Sequence, residues 1–212
     1  MTSDLADSRT RWLDAALATI RRKGYSATTV DDLCAATGLS KGSFFHHFKG
    51  KEDLGLAAAQ HWNDSTGALF ANAPYQQVAD ARERLLAYID FRAELAVGEL
   101  ADISCLLGTM VQETYTTHPA IREACRAGIE SHAATLVATI AAAKARHAPR
   151  ARWTPESLAL FTQAVLQGAF VVAKAAGDAQ AAAPLIAHLR AYVQGLLPLQ
   201  PPAPTPRRRT QR

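Results

Sequence analysis

Helix breakers govern what this chain can fold into. Prolines and glycines leave long stretches of Ala, Leu, Arg and Glu with helical periodicity, and almost no alternating β-branched runs interrupt them. The expected fold is all-α. A first helix is predicted from about Ser8 to Lys23, with Trp12, Ala16, Leu17 and Ile20 on one face and Gly24 as its stop. Thr29 followed by Asp32 predicts a capping-box start to a short helix through Thr37, ended by Gly38. Ser40 caps a third helix, Lys41 to about Phe48, and a fourth starts near Lys51 and reaches about Phe70. Beyond Pro74, helices are expected at about 75–97, 102–115, 119–147, 155–176 and 181–196.

This punctuation divides the chain into an N-terminal three-helix head (1–50), a larger helical body (51–197) and a tail (198–212). The tail, proline-rich and then basic, reads as a flexible extension, either a solubilising end or a further DNA contact. With 212 residues, 49% hydrophobic and 20% charged, the chain is long and apolar enough for a real core. No apolar run approaches the roughly 20 residues of a membrane helix, and the N-terminus lacks the apolar centre of a secretory signal. A cytoplasmic protein with no membrane partner is the expectation. Cys34, Cys105 and Cys125 are too few and too scattered for a disulfide framework or a closed zinc site, and no cofactor is implied.

Charge is distributed unevenly. Residues 1–51 carry eight Lys/Arg against five Asp/Glu, residues 52–206 carry eleven against fourteen, and the last six residues add four arginines. A basic head on a mildly acidic body suggests that the head meets a polyanion. Two short helices joined by Gly38-Leu39-Ser40, after a longer one, have helix–turn–helix spacing, in which the second helix enters the major groove. On that helix Lys41 can donate to a base or phosphate, Gly42 allows close approach, and Ser43 can donate or accept. Phe45, His46 and His47 complete the candidate surface, with Thr29 and Lys51 placed like phosphate clamps. Phe44 and Phe48 read as packing residues. A His46–His47 metal pair is disfavoured, because adjacent helical residues point about 100° apart.

The stretch TTVDDLCAATGLSKGSFFHHFKGKEDLGLA resembles the N-terminal signature of the TetR (TetR/AcrR) family of bacterial transcriptional regulators. The resemblance rests on Thr29, Gly38, Lys41-Gly42-Ser43, an aromatic pair, His47-Phe48 and Lys51-Glu52-Asp53-Leu54, within about residues 8–60. It implies a homodimer that binds double-stranded operator DNA through its heads, holds an inducer in its bodies, and represses a nearby operon. One departure is His47, where the family usually has an aromatic residue.

The body must be read on its own. Phe91, Met110, Tyr115, Phe161 and Phe170 belong to an apolar set sufficient to line a cavity, or simply to fill a core. Cys105 and Lys174 stand out, the latter as a lone cation in an apolar helical run. A cavity-facing Lys174 would stabilise a Cys105 thiolate, the nucleophilic and oxidisable form; otherwise Cys105 packs as a small hydrophobe and Lys174 reaches solvent. The stretches around Cys105 and at 168–174 are similar to the NemR-type, electrophile- and hypochlorite-responsive branch of the family. That similarity implies a sensor at Cys105 assisted by Lys174, whereas Cys34 and Cys125 read as structural.

The last two helices carry small residues at Ala164, Gly168, Ala169, Ala173 and Ala187, which suits a two-fold helical interface. The fourth helix is the expected transmitter from cavity to head. The same head also fits an activator. An enzyme is not expected, since the chain has no Glu-x-x-His pair, P-loop or Gly-x-Ser-x-Gly, and a cysteine nucleophile would lack an identifiable base.

Overall fold

The computed structural model describes residues 2–199, with side chains from Asp7 onward; the Pro/Arg-rich tail beyond Leu199 lies outside the described residues. Among the described residues every regular element is helical. The head comprises α1 (Thr2–Lys23), α2 (Val30–Thr37) and α3 (Lys41–His47), and α4 (Lys51–Ala71) leads into the body. The body adds α5 (Ala81–Glu94), α6 (Leu100–Ile103), α7 (Leu106–Thr114), α8 (Pro119–His147), α9 (Pro155–Ala176) and α10 (Ala182–Leu196).

Local chemistry sets the head's boundaries. Thr29 and Asp32 form the reciprocal capping box of α2, and Gly38 closes that helix in the left-handed conformation at φ 69°. The Ser40 side chain accepts from the Ser43 amide and starts α3. In the body the expectation of a helix over 75–97 needs correction. Pro74 opens only a 3-10 turn, Pro74–Gln77, and α5 begins at Ala81 because the Asp80 carboxylate accepts from the Arg82 and Glu83 amides at 2.9 and 3.1 Å. The expected helix over 102–115 is likewise split. Ser104 and Cys105 are extended, at ψ 138° and 125°, so α7 starts afresh with Cys105 at its N-cap.

Two apolar clusters hold the molecule together. In the body cluster α5, α8, α9 and α10 bury Leu85, Tyr88, Ile89, Ile140, Leu166 and Ile186. The second cluster starts in the head with Trp12, Ile20, Leu33, Phe44 and Phe48, and continues through α4 into Leu106, Met110, Ile121 and Cys125 of α7 and α8. The head is therefore not sealed on its own. Its core runs on into the body, and Cys105 packs against both clusters.

Phe44 is fully buried edge-on against Trp12, whereas its neighbour Phe45 is 60% exposed. Phe44→Ala should lower the free energy of unfolding by about 3–5 kcal/mol, against about 0.5 kcal/mol or less for Phe45→Ala. Denaturant melts of the two variants check this contrast, and equal losses would contradict the packing.

Candidate DNA-reading head and sensor cavity

The outward face of α3 is formed by Lys41, Gly42, Phe45 and His46, all exposed. The Lys41 ammonium lies 2.7 Å from the Asp31 carboxylate, and that contact raises its pKa and keeps it charged. Both partners are exposed, so a phosphate can replace Asp31 at small cost. Thr29 is also at the surface, but its hydroxyl serves the cap, donating to Asp32 Oδ2 at 2.6 Å.

Three other candidates turn inward. Ser43 is half-buried, and its hydroxyl accepts a long hydrogen bond from the Trp12 indole N–H at 3.4 Å. His47 sits with Nε2 2.8 Å from the Ser8 hydroxyl, and burial, then the charges of His46 and Arg9, lower its pKa. Its ring is thereby tied to α1. Lys51 donates to the Ser26 carbonyl at 2.9 Å and lies 4.6 Å from the Tyr25 ring centroid. Its partial burial lowers its pKa, and it braces the turn after α1.

That turn is gripped from the body. The Glu113 carboxylate, on α7, accepts from the Tyr25 amide at 3.2 Å and the Ser26 amide at 2.7 Å. Gly24, at φ 91°, lets it approach; a Cβ there would lie 2.3 Å from Glu113 Oε1. A second tie joins the end of α1 to the α6 end of the body, where Arg21 donates to the Asp102 carbonyl at 3.1 Å.

Two cavities of about 280 and 290 Å³ lie on either side of the α6–α7 break, with Ser104, Cys105, Gln167 and Phe170 in the walls of both. The second also contains Lys174, whose ammonium donates to the Thr109 hydroxyl at 2.8 Å. Burial lowers the Lys174 pKa, while Cys105 and Glu113 act in the opposite direction. The first cavity is walled by Trp62, Leu69, Phe70, Leu107 and Ile129 and carries Arg21, Arg92, His132 and Gln163. At its back the Tyr88 hydroxyl accepts from Gln163 Nε2 at 2.9 Å and donates to His132 Nε2 at 3.0 Å. Burial, reinforced by Arg92, pushes the His132 pKa down to about 4, so the imidazole is neutral and free to accept that proton.

Family comparison agrees with this arrangement at both ends of the chain. The model for bacterial regulatory proteins of the tetR family matches residues 13–58, and that for the tetracyclin repressor-like C-terminal domain matches residues 81–189. The chain belongs to the TetR family. It is 32% identical over 103 residues to the transcriptional regulator AcuR of Cereibacter sphaeroides, a stretch covering 47% of this chain and 45% of that protein. Over 56 residues it is 34% identical to the uncharacterized HTH-type transcriptional regulator YerO of Bacillus subtilis, covering 26% of this chain and 19% of that one. The matched stretches thus span less than half the length of these curated relatives. Among solved structures, a TetR transcriptional regulator from Chloroflexus aurantiacus superposes with a TM-score of 0.79 at 27% identity, covering 91% of this chain and 96% of that one. Reduced Escherichia coli NemR superposes with a TM-score of 0.74 at 21% identity, covering 86% and 95%, a likeness of fold alone.

Within this TetR-family body, Cys105, Lys174 and Phe170 reach cavity walls, and four other expected lining residues do not. Met110 is fully buried in the head–body cluster, because five residues past Cys105 carries it about 140° around α7. Tyr115 is exposed at the end of α7, and Phe161 stacks on Tyr192 at the outer surface with centroids 5.1 Å apart. Phe91 packs against Phe70 and Tyr75, outside both walls. Sequence reasoning passed over Arg92, His132, Gln163 and Gln167. Their signal was polar side chains recurring within apolar helical phases, Gln163 and Gln167 one turn apart on α9.

His132 predicts a pH dependence. Its native pKa lies below the ordinary 6.5, so the unfolded chain takes up the proton first and stability falls as pH drops from about 6.5 toward 4. His132→Gln, which keeps an acceptor for Tyr88, should flatten that part of the curve. Thermal melts of both proteins across this window check it, and parallel declines would contradict the assignment.

Proposed function

We propose that this TetR-family chain is a homodimeric repressor that leaves its operator when the body cavity is filled by a small molecule or when Cys105 is modified. The carrying observation is the course of α7. Cys105 stands at its start in both cavity walls, and Glu113, eight residues or about 12 Å further on, holds the turn between α1 and α2. A displacement at one end of so short a helix is felt at the other. The heads bind only when both recognition helices meet half-sites about one DNA turn, roughly 34 Å, apart.

The outer surface of α9 and α10 supports the dimer. Leu160, Phe161, Val171, Val172 and Tyr192 are all at least 40% exposed there, with Ala164 and Gly168 exposed among them. Ala169 and Ala173, expected on the same face, turn into the body core instead. Repression is supported by likeness to the HTH-type transcriptional repressor KstR2 of Rhodococcus jostii, 42% identical over 53 residues that cover 25% of this chain and 26% of that one. An activator would use the same head at a differently placed operator. Work on DNA puts the protein in the cytoplasm.

Cys105 is the thiol suited to sensing. It is half-buried in the walls of both cavities, the second of which also holds Lys174, whereas burial pushes the Cys125 thiol up to about 12 and keeps it unreactive. N-ethylmaleimide, which forms a thioether with a thiol, should weaken binding to DNA from upstream of the protein's own gene, read by fluorescence anisotropy. Cys105→Ser should bind that DNA and lose the response. Unchanged affinity of the alkylated parent would remove Cys105 from the reading and leave a regulator answering to a reversible ligand.

A further inference from the structure

The first cavity, walled by Trp62, Phe70 and Leu107, has a charge imbalance. Its walls hold two arginines, Arg21 and Arg92, against one carboxylate, Asp102, and His132 adds no charge at neutral pH. Asp102 belongs to Arg21, which lies 3.8 Å from its carboxylate and also donates to its carbonyl. Arg92 has no carboxylate partner among the described residues. Its guanidinium makes only contacts at the limit of hydrogen bonding, 3.4 Å to the Tyr88 hydroxyl and 3.5 Å to His132 Nε2. A guanidinium has five N–H donors, so most of its capacity is unspent.

The cation is nonetheless held in place. Its central carbon lies 5.2 Å from the Phe70 ring centroid and 5.7 Å from that of Phe170, so two rings fix the group at the cavity wall. The Tyr88 hydroxyl is already engaged with Gln163 and His132. We propose that this cavity takes a small organic anion, a carboxylate carried on an apolar body, with Arg92 as its counter-ion. This rests on the ligand-responsive reading above and names the class of ligand. The carboxylate completes the planar fork of Arg92, and the apolar part lies against Phe70, Phe170, Leu107 and Ile129. A neutral ligand of the same shape leaves Arg92 unpaired in a half-enclosed site, which is where discrimination arises.

Isothermal titration of the full-length protein with benzoate and hexanoate, each beside its neutral amide, tests this. At least one carboxylate should bind about tenfold or more tightly than its amide. Arg92→Gln should abolish that preference while circular dichroism and the melting temperature are kept. If that variant does not fold, Arg92→Lys serves, and it should retain the preference for the anion in weakened form. Amides equal to the carboxylates, no binding by any of the four probes, or an undiminished preference in Arg92→Gln would each overturn the proposal. Anisotropy on upstream DNA with the same samples separates the two levels. A carboxylate preference that depends on Arg92, with no change in DNA affinity, upholds the ligand class and contradicts the regulatory reading.

Discussion

Everything distinctive in this molecule depends on one carboxylate meeting two backbone amides. Glu113 reaches from the body to the Tyr25 and Ser26 N–H groups, and Lys51 supports the same turn through the Ser26 carbonyl. A turn that would otherwise have its polar groups satisfied by water is thereby tied to a helix of the body. Gly24 makes the contact sterically open, at a φ that L side chains rarely adopt. Head and body share one apolar cluster around this clasp, so their relative placement is a matter of packing as well as of polar contact.

Such a connection gives allostery a physical form. Two sites are coupled only to the extent that a ligand prefers one arrangement of the intervening structure, and coupling typically amounts to about 1–3 kcal/mol. Here the intervening structure is short. The break at Ser104-Cys105 separates α6 from α7 at the cavities, so α7 can shift without dragging a long helix with it. The fourth helix, expected from sequence to transmit the change, also packs against the shared cluster through Leu54 and Ala58. On this helix Gly55 allows close approach to Tyr25, Met110 and Ile121.

Much of this was legible in the sequence, for identifiable reasons. The capping pair Thr29–Asp32, the cap Ser40 and the stop Gly38 are local signals, and local chemistry decided those boundaries. The break before α7 was not legible, since neither proline nor glycine marks the extended Ser104-Cys105 pair. Side-chain direction was the other gap. Ser43, His47 and Lys51 have residue types suited to DNA, and their contacts to Trp12, Ser8 and Ser26, distant in sequence, appear only in the folded chain. Met110 and Phe161 are apolar at suitable spacing, and only the rotation of their helices separates core and outer surface from cavity wall. Glu113 itself carries no motif; a single acidic residue on a short helix acquires meaning only once the turn after α1 is beside it.

The most direct test is the coupling itself. Operator affinity is measured by anisotropy with Cys105 free and then alkylated, in the parent and in Glu113→Ala, with melting curves to establish that both are folded. The ratio of the two affinities is the coupling. If α7 carries the signal through its grip on the head, the ratio is large in the parent and falls toward one in Glu113→Ala; an equal ratio in both proteins would contradict the account.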